Sequence, residues 1–401
     1  MNILKRLFKP KQEERISSSS PDIAKLFGWH DTPGGHLVNA NTAENLSTVL
    51  ACVSAISSAV SSLPVNIYRF TEQGREIDRA FPLARLVRLG PNQWQTWPDF
   101  VEWLMASALL RGNGLAEIVL DQRGSVQELR PIPWESVSVQ MLHNGRLVYD
   151  VTNLITSYGG TGQTRRLLQG EVLHLRDRSD NGLVGKSRLQ RASAVIDAGL
   201  SVQEFAGSMY SNGANPSGAL ELDGKVGPEK RDQLARQFRD AFTGSGNAAK
   251  TLILDQGLKW RQISVSPEDA ELLASRQFTT EELCRIYLVP PPVVQDYRHN
   301  TFTNAETAGR WFATNTLMPW IRKLEAVFQT SVFSEEARRT HELEFDLSGF
   351  LRGDPEQRWK AHEIAVKNEI LFPNEIRKVE GWNPREGGDQ FNGQSRSDQN
   401  S

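Results

Sequence analysis

The chain has 401 residues, and its 46 lysines and arginines against 48 aspartates and glutamates give a formal net charge of −2. This length leaves room for two or three domains with at least one sizeable core. The near-neutral balance argues against a protein that grips nucleic acid through many phosphates: either DNA is not a ligand, or it must slide. Only Cys52 and Cys284 are present, which excludes a disulfide framework and makes redox chemistry improbable.

The first forty residues predict a flexible arm. The opening MNILKRLFKPK is basic and partly apolar, but lysine and arginine interrupt it and no small-residue cleavage site follows, so it is a poor signal peptide. A short amphipathic membrane contact is the alternative, although no run of about 18 apolar residues is present to span a bilayer. Order is expected to begin near Asn41 or Thr42, as a helix cap.

The next segments predict helices followed by a meander of strands, which is α+β patterning. Apolar residues from Val49 to Leu63 recur at helical spacing, Pro64 stops that helix, and a strand begins at Val65. A second helix is predicted over Trp97–Leu110 and is closed by the Gly112-Asn113-Gly114 turn. Strands are then expected around AEIVLD, VQELRPIP, VSVQML, RLVYDV and EVLHLR.

The second half predicts long helices around a small inserted unit. A helix is expected from Arg188 to about Tyr210, and residues 214–265 read as strand, helix, strand and strand. A further helix starts at Ser266 and must end before the three prolines 290–292. The remaining helices are expected over 305–328, with a kink at Pro319, and over 355–368, before a tail of disordered composition.

One segment imitates a nucleotide-binding loop. DNGLVGKSRL follows a strand and opens a helix, but a P-loop needs a glycine five positions before Gly185, where this chain has Asp180. We therefore interpret Gly182 and Gly185 as shaping a strand-to-helix turn. The seven histidines show neither HExxH nor HxH spacing, so we predict no metal site, no cofactor and no paired-carboxylate active site.

Several blocks that are weak alone follow one another in a fixed order. They are VLACVSAISSAVSSLPVNIYR, PNQWQTWPDFVEWLMASALLRGNGLAEI, EVLHLR with GLVGKSRL, YSNGANPSGALEL, LKWRQISVSPEDAELLASRQFTTEELCRIYLVPP, FTNAE with LMPWIRKLE, and EFDLSGFLRGD. From about Thr42 to Trp382 this order resembles that of the tailed-bacteriophage portal proteins, or head-to-tail connectors. The resemblance implies a structural, non-enzymatic subunit of a ring, usually of twelve copies, around a DNA channel.

The resemblance also implies a map of the chain. The fold would be α+β, with an α/β wing, two long stem helices, a small α/β clip insertion and a helical channel and crown segment. The arm would cover 1–40, the wing 41–187, the stem helices 188–213 and 266–290, the clip 214–265, the tunnel loop 291–304, the channel or crown helix with the remaining wing 305–384, and the disordered tail 385–401.

By the same resemblance, the tunnel loop would contact sliding double-stranded DNA without sequence preference, and the clip would dock the terminase large subunit and later the neck or adaptor proteins. Major capsid and scaffold proteins would be further partners, at a capsid vertex of the virion after assembly in the host cytoplasm. The tunnel-loop residues are Gln295, Asp296, Tyr297, Arg298, His299 and Asn300. The clip residues are Lys230, Arg231, Arg236, Arg239 and Lys250.

The charge balance of the tunnel-loop segment fits a weak contact with DNA. In a ring every charge is repeated in each subunit, so strong attraction for phosphate would stall movement of DNA. Arg298 attracts phosphate while Asp296, two residues away, partly offsets it. Two other readings stay open: an ATP-binding packaging or assembly motor subunit that uses the 180–187 loop, and an α+β virion protein without a channel.

Overall fold

The chain has mixed helical and sheet structure. The computed structural model describes residues 36–72, 74–152, 163–211, 218–222, 258–262, 279–298, 302–348 and 355–391. The chain divides into two compact units, Met1–Phe345 and Asp346–Ser401. Helices and small antiparallel sheets alternate in it, which agrees with the predicted α+β class.

Within the described residues from 36 onward, two helices precede the first strand. Helix α1 (Ala40–Ala43) is capped by Asn39, whose side chain accepts from Thr42 N while Asn39 N donates to Thr42 Oγ1 at 2.9 Å. The prediction that Asn41 or Thr42 caps the first helix is therefore wrong, because Thr42 is the reciprocal partner in the first turn. Helix α2 (Ser47–Ser61) follows.

Helix α4 forms the centre of the larger unit. It spans Trp97–Arg111, packs against α2 and buries nine of its residues, so the predicted second helix is confirmed. Thr96 and Asp99 form its capping box, and Gly112 ends it in a left-handed conformation with φ 82°. A short helix that the sequence analysis did not predict, α3, spans Pro82–Leu89.

Nine described strands of the larger unit form three antiparallel sheets of three strands each. The orders are β4–β3–β8, β5–β6–β7 and β11–β1–β2, and Val65 pairs with Phe345 in the last. The five predicted meander strands are confirmed, whereas β2, β7 and β11 were not predicted. The strands are β1 (Val65–Thr71), β2 (Gly74–Ile77), β3 (Asn113–Leu120), β4 (Val126–Ile132), β5 (Val137–Met141), β6 (Leu147–Thr152), β7 (Thr164–Leu168), β8 (Val172–Arg176) and β11 (His341–Phe345).

A buried cluster joins two of these sheets. Its side chains are apolar, and the strands β3, β6 and β8 that supply most of them are buried over runs of three or four consecutive residues. Its members are Leu115, Ile132, Leu147, Tyr149, Val151, Leu167 and Val172. Leu183, in the glycine-containing turn that follows β8, packs against this cluster.

The first predicted long helix has a break near its start. Helix α5 covers Arg188–Arg191 and α6 covers Ser193–Ser211, with Ala192 between them at φ −114° and ψ 27°. In the predicted inserted unit, β9 (Gly218–Leu222) pairs antiparallel with β10 (Leu258–Gln262). The predicted helix and middle strand of that unit, and the start of the helix at Ser266, lie outside the described residues.

The helix predicted over 305–328 has three parts. Helix α8 (Phe302–Trp311) continues into a π-helical segment (Phe312–Leu317) and then into α9 (Met318–Ser331). Pro319, for which we predicted a kink, is the second residue after the π segment. A proline lacks the amide that continues an α-helical ladder, and the wider π turn is one way to accommodate that loss. A four-residue helix, α10 (Ala337–Thr340), precedes β11.

The smaller unit contains helices α11 (Pro355–Lys367) and α12 (Pro373–Val379). The Glu380 carboxylate lies 2.9 Å from Arg358 Nε and 3.0 Å from His362 Nε2, which ties the two helices together. Residues 385–391, which were predicted as the start of the tail, contact α12 through the bond from Asn374 N to Gly388 O at 2.9 Å.

Candidate functional site

The proline-rich segment after residue 287 is a well-defined turn. Helix α7, described over residues 279–287, ends before Pro290 as predicted. Residues Pro291–Val294 form a 3-10 helix, and the amides of Val293, Gln295 and Asp296 donate to the carbonyls of the three prolines at 2.9 to 3.1 Å. Hydrogen bonds within the turn therefore fix the backbone that leads to the predicted DNA-facing residues.

This turn is flanked by two residues that adopt the left-handed conformation although neither is glycine. Leu288 has φ 57° and Gln295 has φ 65°. Residues other than glycine and asparagine rarely adopt this conformation, and they keep it only where surrounding contacts hold it. Leu288 is 48% exposed, so burial of its side chain does not hold it there.

Asp296 and Arg298 neutralise each other. Arg298 Nε donates to Asp296 Oδ1 at 2.7 Å, and Nη2 contacts the other carboxylate oxygen. The hydrogen bond to Asp296 raises the pKa of Arg298. Tyr297, between them, is 58% exposed. The surface at this point therefore presents a phenol ring and a compensated guanidinium. His299 and Asn300 lie outside the described residues.

A buried ion cluster lies beneath the turn. Arg188 Nε is 3.0 Å from Asp177 Oδ2, and Arg188 Nη1 donates to Ile286 O at 3.1 Å. Lys323 Nζ is 3.9 Å from the same carboxylate, and burial lowers the pKa of Lys323. The ring of Trp320 lies 5.6 Å from the Arg188 guanidinium and 4.9 Å from Lys323 Nζ. Four separate parts of the chain meet at this cluster: the end of β8 with Asp177, the start of α5, the end of α7, and α9.

A second network fixes the turn that carries GLVGKS. Asn113 Nδ2 donates to Gly185 O at 2.9 Å, and Gly185 N donates to Asn113 Oδ1 at 2.8 Å. His174 Nε2 lies 2.9 Å from the same Oδ1, which only accepts, so Nε2 carries the proton and Nδ1 accepts from Tyr149 OH at 3.1 Å. Burial lowers the pKa of His174 to about 3, and Arg176 adds a smaller effect. The imidazole is therefore neutral.

The GLVGKS turn is not arranged to hold a phosphate. The amides of residues 183–186 all donate inside the protein, to the side chains of Asn181 and Asn113 and to the carbonyl of Arg178. A phosphate cradle needs such amides to point at the ligand. A Cβ on Gly185 would lie 2.0 Å from Gly112 O, so close backbone packing is the reason for this glycine.

The lysine of that turn is also engaged. Lys186 Nζ lies 3.7 Å from Asp180 Oδ2, and Arg191 Nη2 binds the other oxygen at 2.6 Å. The bond from Arg191 lowers the pKa of Asp180. A carboxylate therefore occupies the position at which a P-loop has its first glycine, and it faces the lysine.

The predicted clip residues cannot be placed against this geometry. Lys230, Arg231, Arg236, Arg239 and Lys250 lie outside the described residues, and only the β9–β10 pair of that unit is described. Among the residues that the structure describes, no helix combines the length and apolar character that crossing a bilayer needs. Within those ranges, no three His, Cys, Asp or Glu side chains are grouped to suit a metal ion.

Sequence reasoning missed the residues that organise this region. Asn113, His174, Asp177 and Arg188 come from different elements, and their meeting depends on long-range pairing of β3 with β8. One local signal was available: Asn113 between two glycines predicted a turn, and a buried asparagine in a turn usually bonds to nearby backbone.

Comparison with known proteins identifies the family. A family model described as phage portal protein matches residues 47–381. The chain belongs to the phage portal protein family. The portal protein of Enterobacteria phage HK97 is 29% identical over 367 residues, which are 90% of this chain and 84% of that protein. The probable portal protein of Streptomyces phage phiC31 is 26% identical over 368 residues, 87% of this chain and 77% of that protein.

Solved portal structures share the fold. The neck of a native gene transfer agent particle, computed with C12 symmetry, contains a chain with a TM-score of 0.57 and 22% identity that covers 86% of this chain and 92% of that one. An HK97 family phage portal protein from Corynebacterium diphtheriae gives a TM-score of 0.53 at 16% identity and covers 80% and 100%. Portal proteins are structural, non-enzymatic components of the capsid, so the predicted absence of an enzymatic function agrees with the family.

Proposed function

We propose that this portal protein assembles into a ring of twelve copies at one vertex of a capsid, and that double-stranded DNA passes through the ring during packaging and ejection. The observation that carries the proposal is the match of the portal family over residues 47–381. The similarity to a chain of a particle neck solved with C12 symmetry supports both the ring and its subunit number. We expect assembly in the host cytoplasm and a final position in the virion, with major capsid and scaffold proteins as neighbours.

Electron microscopy of the purified full chain tests the ring. Negative-stain images should show rotationally symmetric rings with a central hole. Particles of uniform monomer size at the concentrations used for capsid assembly would rule out a self-assembling ring.

The segment 291–304 is the part of the chain that we assign to DNA. Its exposed Tyr297 and its paired Asp296 and Arg298 offer a surface with little net charge. DNA binding through unpaired basic residues releases counterions and is strong, whereas a compensated pair holds phosphate weakly and permits sliding. This argument supports the tunnel-loop assignment of Gln295 to Asn300.

Charge reversal at this pair tests the assignment. Arg298→Glu should leave ring formation intact and should slow DNA packaging or leave it incomplete. The matched control is Arg146→Glu, which makes the same change at an exposed position between β5 and β6. Packaging in the two variants is compared as the mass and length of protected DNA. Equal packaging by both variants and the unaltered chain would reject the assignment.

We assign docking of the terminase large subunit, and later of neck or adaptor proteins, to residues 214–265. The basic side chains of this unit are the predicted contacts: Lys230, Arg231, Arg236, Arg239 and Lys250. The double substitution Lys230→Gln with Arg231→Gln removes two positive charges and should weaken capture of the terminase large subunit by assembled rings. The control pair, Arg85→Gln with Arg88→Gln, changes exposed residues of α3 and should leave capture unchanged.

The structure does not favour the motor alternative, because the amides and the lysine of the 180–187 turn are engaged inside the protein. We expect no ATP binding by the full chain in calorimetric titration. Binding that the Lys186→Ala substitution abolishes would revive the motor hypothesis.

A further inference from the structure

The end of helix α7 has carbonyl groups that its own backbone cannot satisfy. In a continuing helix each carbonyl accepts from the amide four residues ahead. For Ile286, Tyr287 and Leu288 those positions are prolines 290–292, which have no amide hydrogen. The last turn before the proposed tunnel loop therefore depends on donors from elsewhere in the fold.

Two distant side chains supply donors for two of these carbonyls. Arg188, at the start of α5, donates through Nη1 to Ile286 O at 3.1 Å. Thr316, in the π-helical segment, donates its hydroxyl to Leu288 O. Thr316 is 3% exposed, so a water molecule cannot readily replace its hydroxyl as the donor to Leu288 O. A cation is also favoured at this end of a helix by the helix dipole.

Arg188 is held in place for this contact. Its Nε is bonded to Asp177 at 3.0 Å, so the guanidinium uses one edge for the carboxylate and leaves Nη1 for Ile286 O. The rings of Tyr287 and Trp320 lie 5.8 and 5.6 Å from its central carbon. A planar fork that binds two partners at once is a property of arginine that lysine does not share.

We infer that Arg188 and Thr316 are positioning residues that direct the chain from α7 into the proline-rich turn and so set the course of residues 288–298. Leu288 adopts its left-handed conformation with a half-exposed side chain, so the contacts to its carbonyl and to the preceding turn hold it. The start of the first proposed stem helix and the helix after the tunnel loop thus both act on that loop. The assignment of that loop to DNA, and of α5 to a stem helix, rests on the proposed function.

Hydrogen exchange at the turn tests the inference in the assembled full chain. Thr316→Val removes the hydroxyl while keeping the branched shape. Peptides that cover residues 288–296, in which the amides of Val289, Val293 and Gln295 are bonded, should exchange about five-fold faster, the effect of losing one net hydrogen bond. Thr316→Ser keeps a hydroxyl and should restore slow exchange.

The matched control is Thr314→Val. Thr314 lies in the same π-helical segment, but its hydroxyl donates to Arg310 O and Trp311 O in the preceding helix. Exchange at 288–296 in this variant should equal that of the unaltered chain. The inference would be overturned if the Thr314 and Thr316 variants showed equally faster hydrogen exchange at 288–296. It would also be overturned if exchange in residues 113–120 of β3 became faster to the same extent.

Substitution of Arg188 provides an independent test of the inference. Arg188→Lys keeps the charge beside Asp177 but loses the second donor, so residues 288 and 289 should again exchange several-fold faster. Arg191→Lys alters an arginine of the same short helix that bonds to Arg178 O and Asp180, and it should leave the turn unaffected. Unchanged exchange in Arg188→Lys would remove this residue from the inference.

A packaging assay separates this inference from the proposed function. Faster exchange at 288–296 with normal DNA packaging would uphold the positioning role and count against DNA contact by this segment. Altered packaging without faster exchange would overturn the positioning role alone.

Discussion

The carboxylate of Asp177 and the guanidinium of Arg188 form a buried ion pair, with side chains that are 6% and 17% exposed. Removing one member of such a pair leaves the other charge buried without compensation. Asp177→Asn should therefore lower the free energy of unfolding by about 3 kcal/mol. Urea unfolding followed by tryptophan fluorescence measures this change, because Trp320 lies against Arg188.

The control for that measurement is Asp180→Asn. Asp180 also binds an arginine, at 2.6 Å, but its side chain is 54% exposed. Solvent screens such pairs, so the loss of stability should be much smaller than for Asp177→Asn. Equal losses in the two variants would show that the Asp177 pair is not buried in solution.

His174 should make stability depend on pH. Burial lowers its pKa to about 3, whereas a histidine in the unfolded chain has a pKa of about 6.5. The unfolded state therefore binds more protons below pH 6.5, and the stability that neutral His174 provides is lost as the pH falls toward 3. This component should amount to about 2 kcal/mol between pH 7 and pH 5.

Substitution isolates that component. His174→Gln should remove it from the pH dependence of the unfolding free energy, measured by urea titration at pH 5, 6 and 7. His143→Gln, at an exposed position between β5 and β6, should retain it. A slope that is the same in all three proteins would mean that His174 titrates normally.

Two glycines should respond to alanine in opposite directions. Gly185→Ala places a Cβ 2.0 Å from Gly112 O and should cost about 3 kcal/mol, because backbone must move. Gly207 lies in α6 with no atom within 4 Å of a new Cβ, so Gly207→Ala should stabilise the protein by about 0.5 to 1 kcal/mol. Thermal unfolding of both variants gives the comparison.

The two thiols should be unreactive in the folded protein. Cys52 and Cys284 are 0% and 1% exposed, and their hydrogen bond together with burial raises the pKa of Cys52. Because burial closes both sulfur atoms to a reagent, a chromogenic disulfide at pH 8 should label neither thiol in the native chain and both in urea. Rapid labelling of one thiol in the native chain would show that this core opens.

Local patterns predicted the long elements well and the short ones poorly. The spacing of apolar residues gave α2 and α4, and turn residues separated the five predicted strands. Strand β2 was not predicted, because all four of its residues are exposed and the sequence shows no alternation of apolar and polar residues there. The break at Ala192 and the π-helical segment were not predicted, because both depend on tertiary packing and not on the intrinsic helix propensity of the residues.

The candidate site divides in the same way. The prolines and the Asp296–Arg298 pair are local, and the sequence places them directly. The donors that complete the turn are not: Arg188 is 98 residues from Ile286 and Thr316 is 28 residues from Leu288. Such contacts follow from the folded arrangement, and only the family resemblance directed attention to this part of the chain.

The pairing of β1 with β11 has a consequence for synthesis of the chain. Val65 and Phe345 are 280 positions apart, so the sheet cannot close until nearly the whole larger unit has left the ribosome. At 5 to 20 residues per second that interval lasts about 15 to 55 seconds. Throughout that interval β1 can pair with β2, but its other edge, where the buried Ile67 pairs with Leu343, has no partner strand. A nascent chain with this contact order is a natural client for chaperones that bind apolar segments.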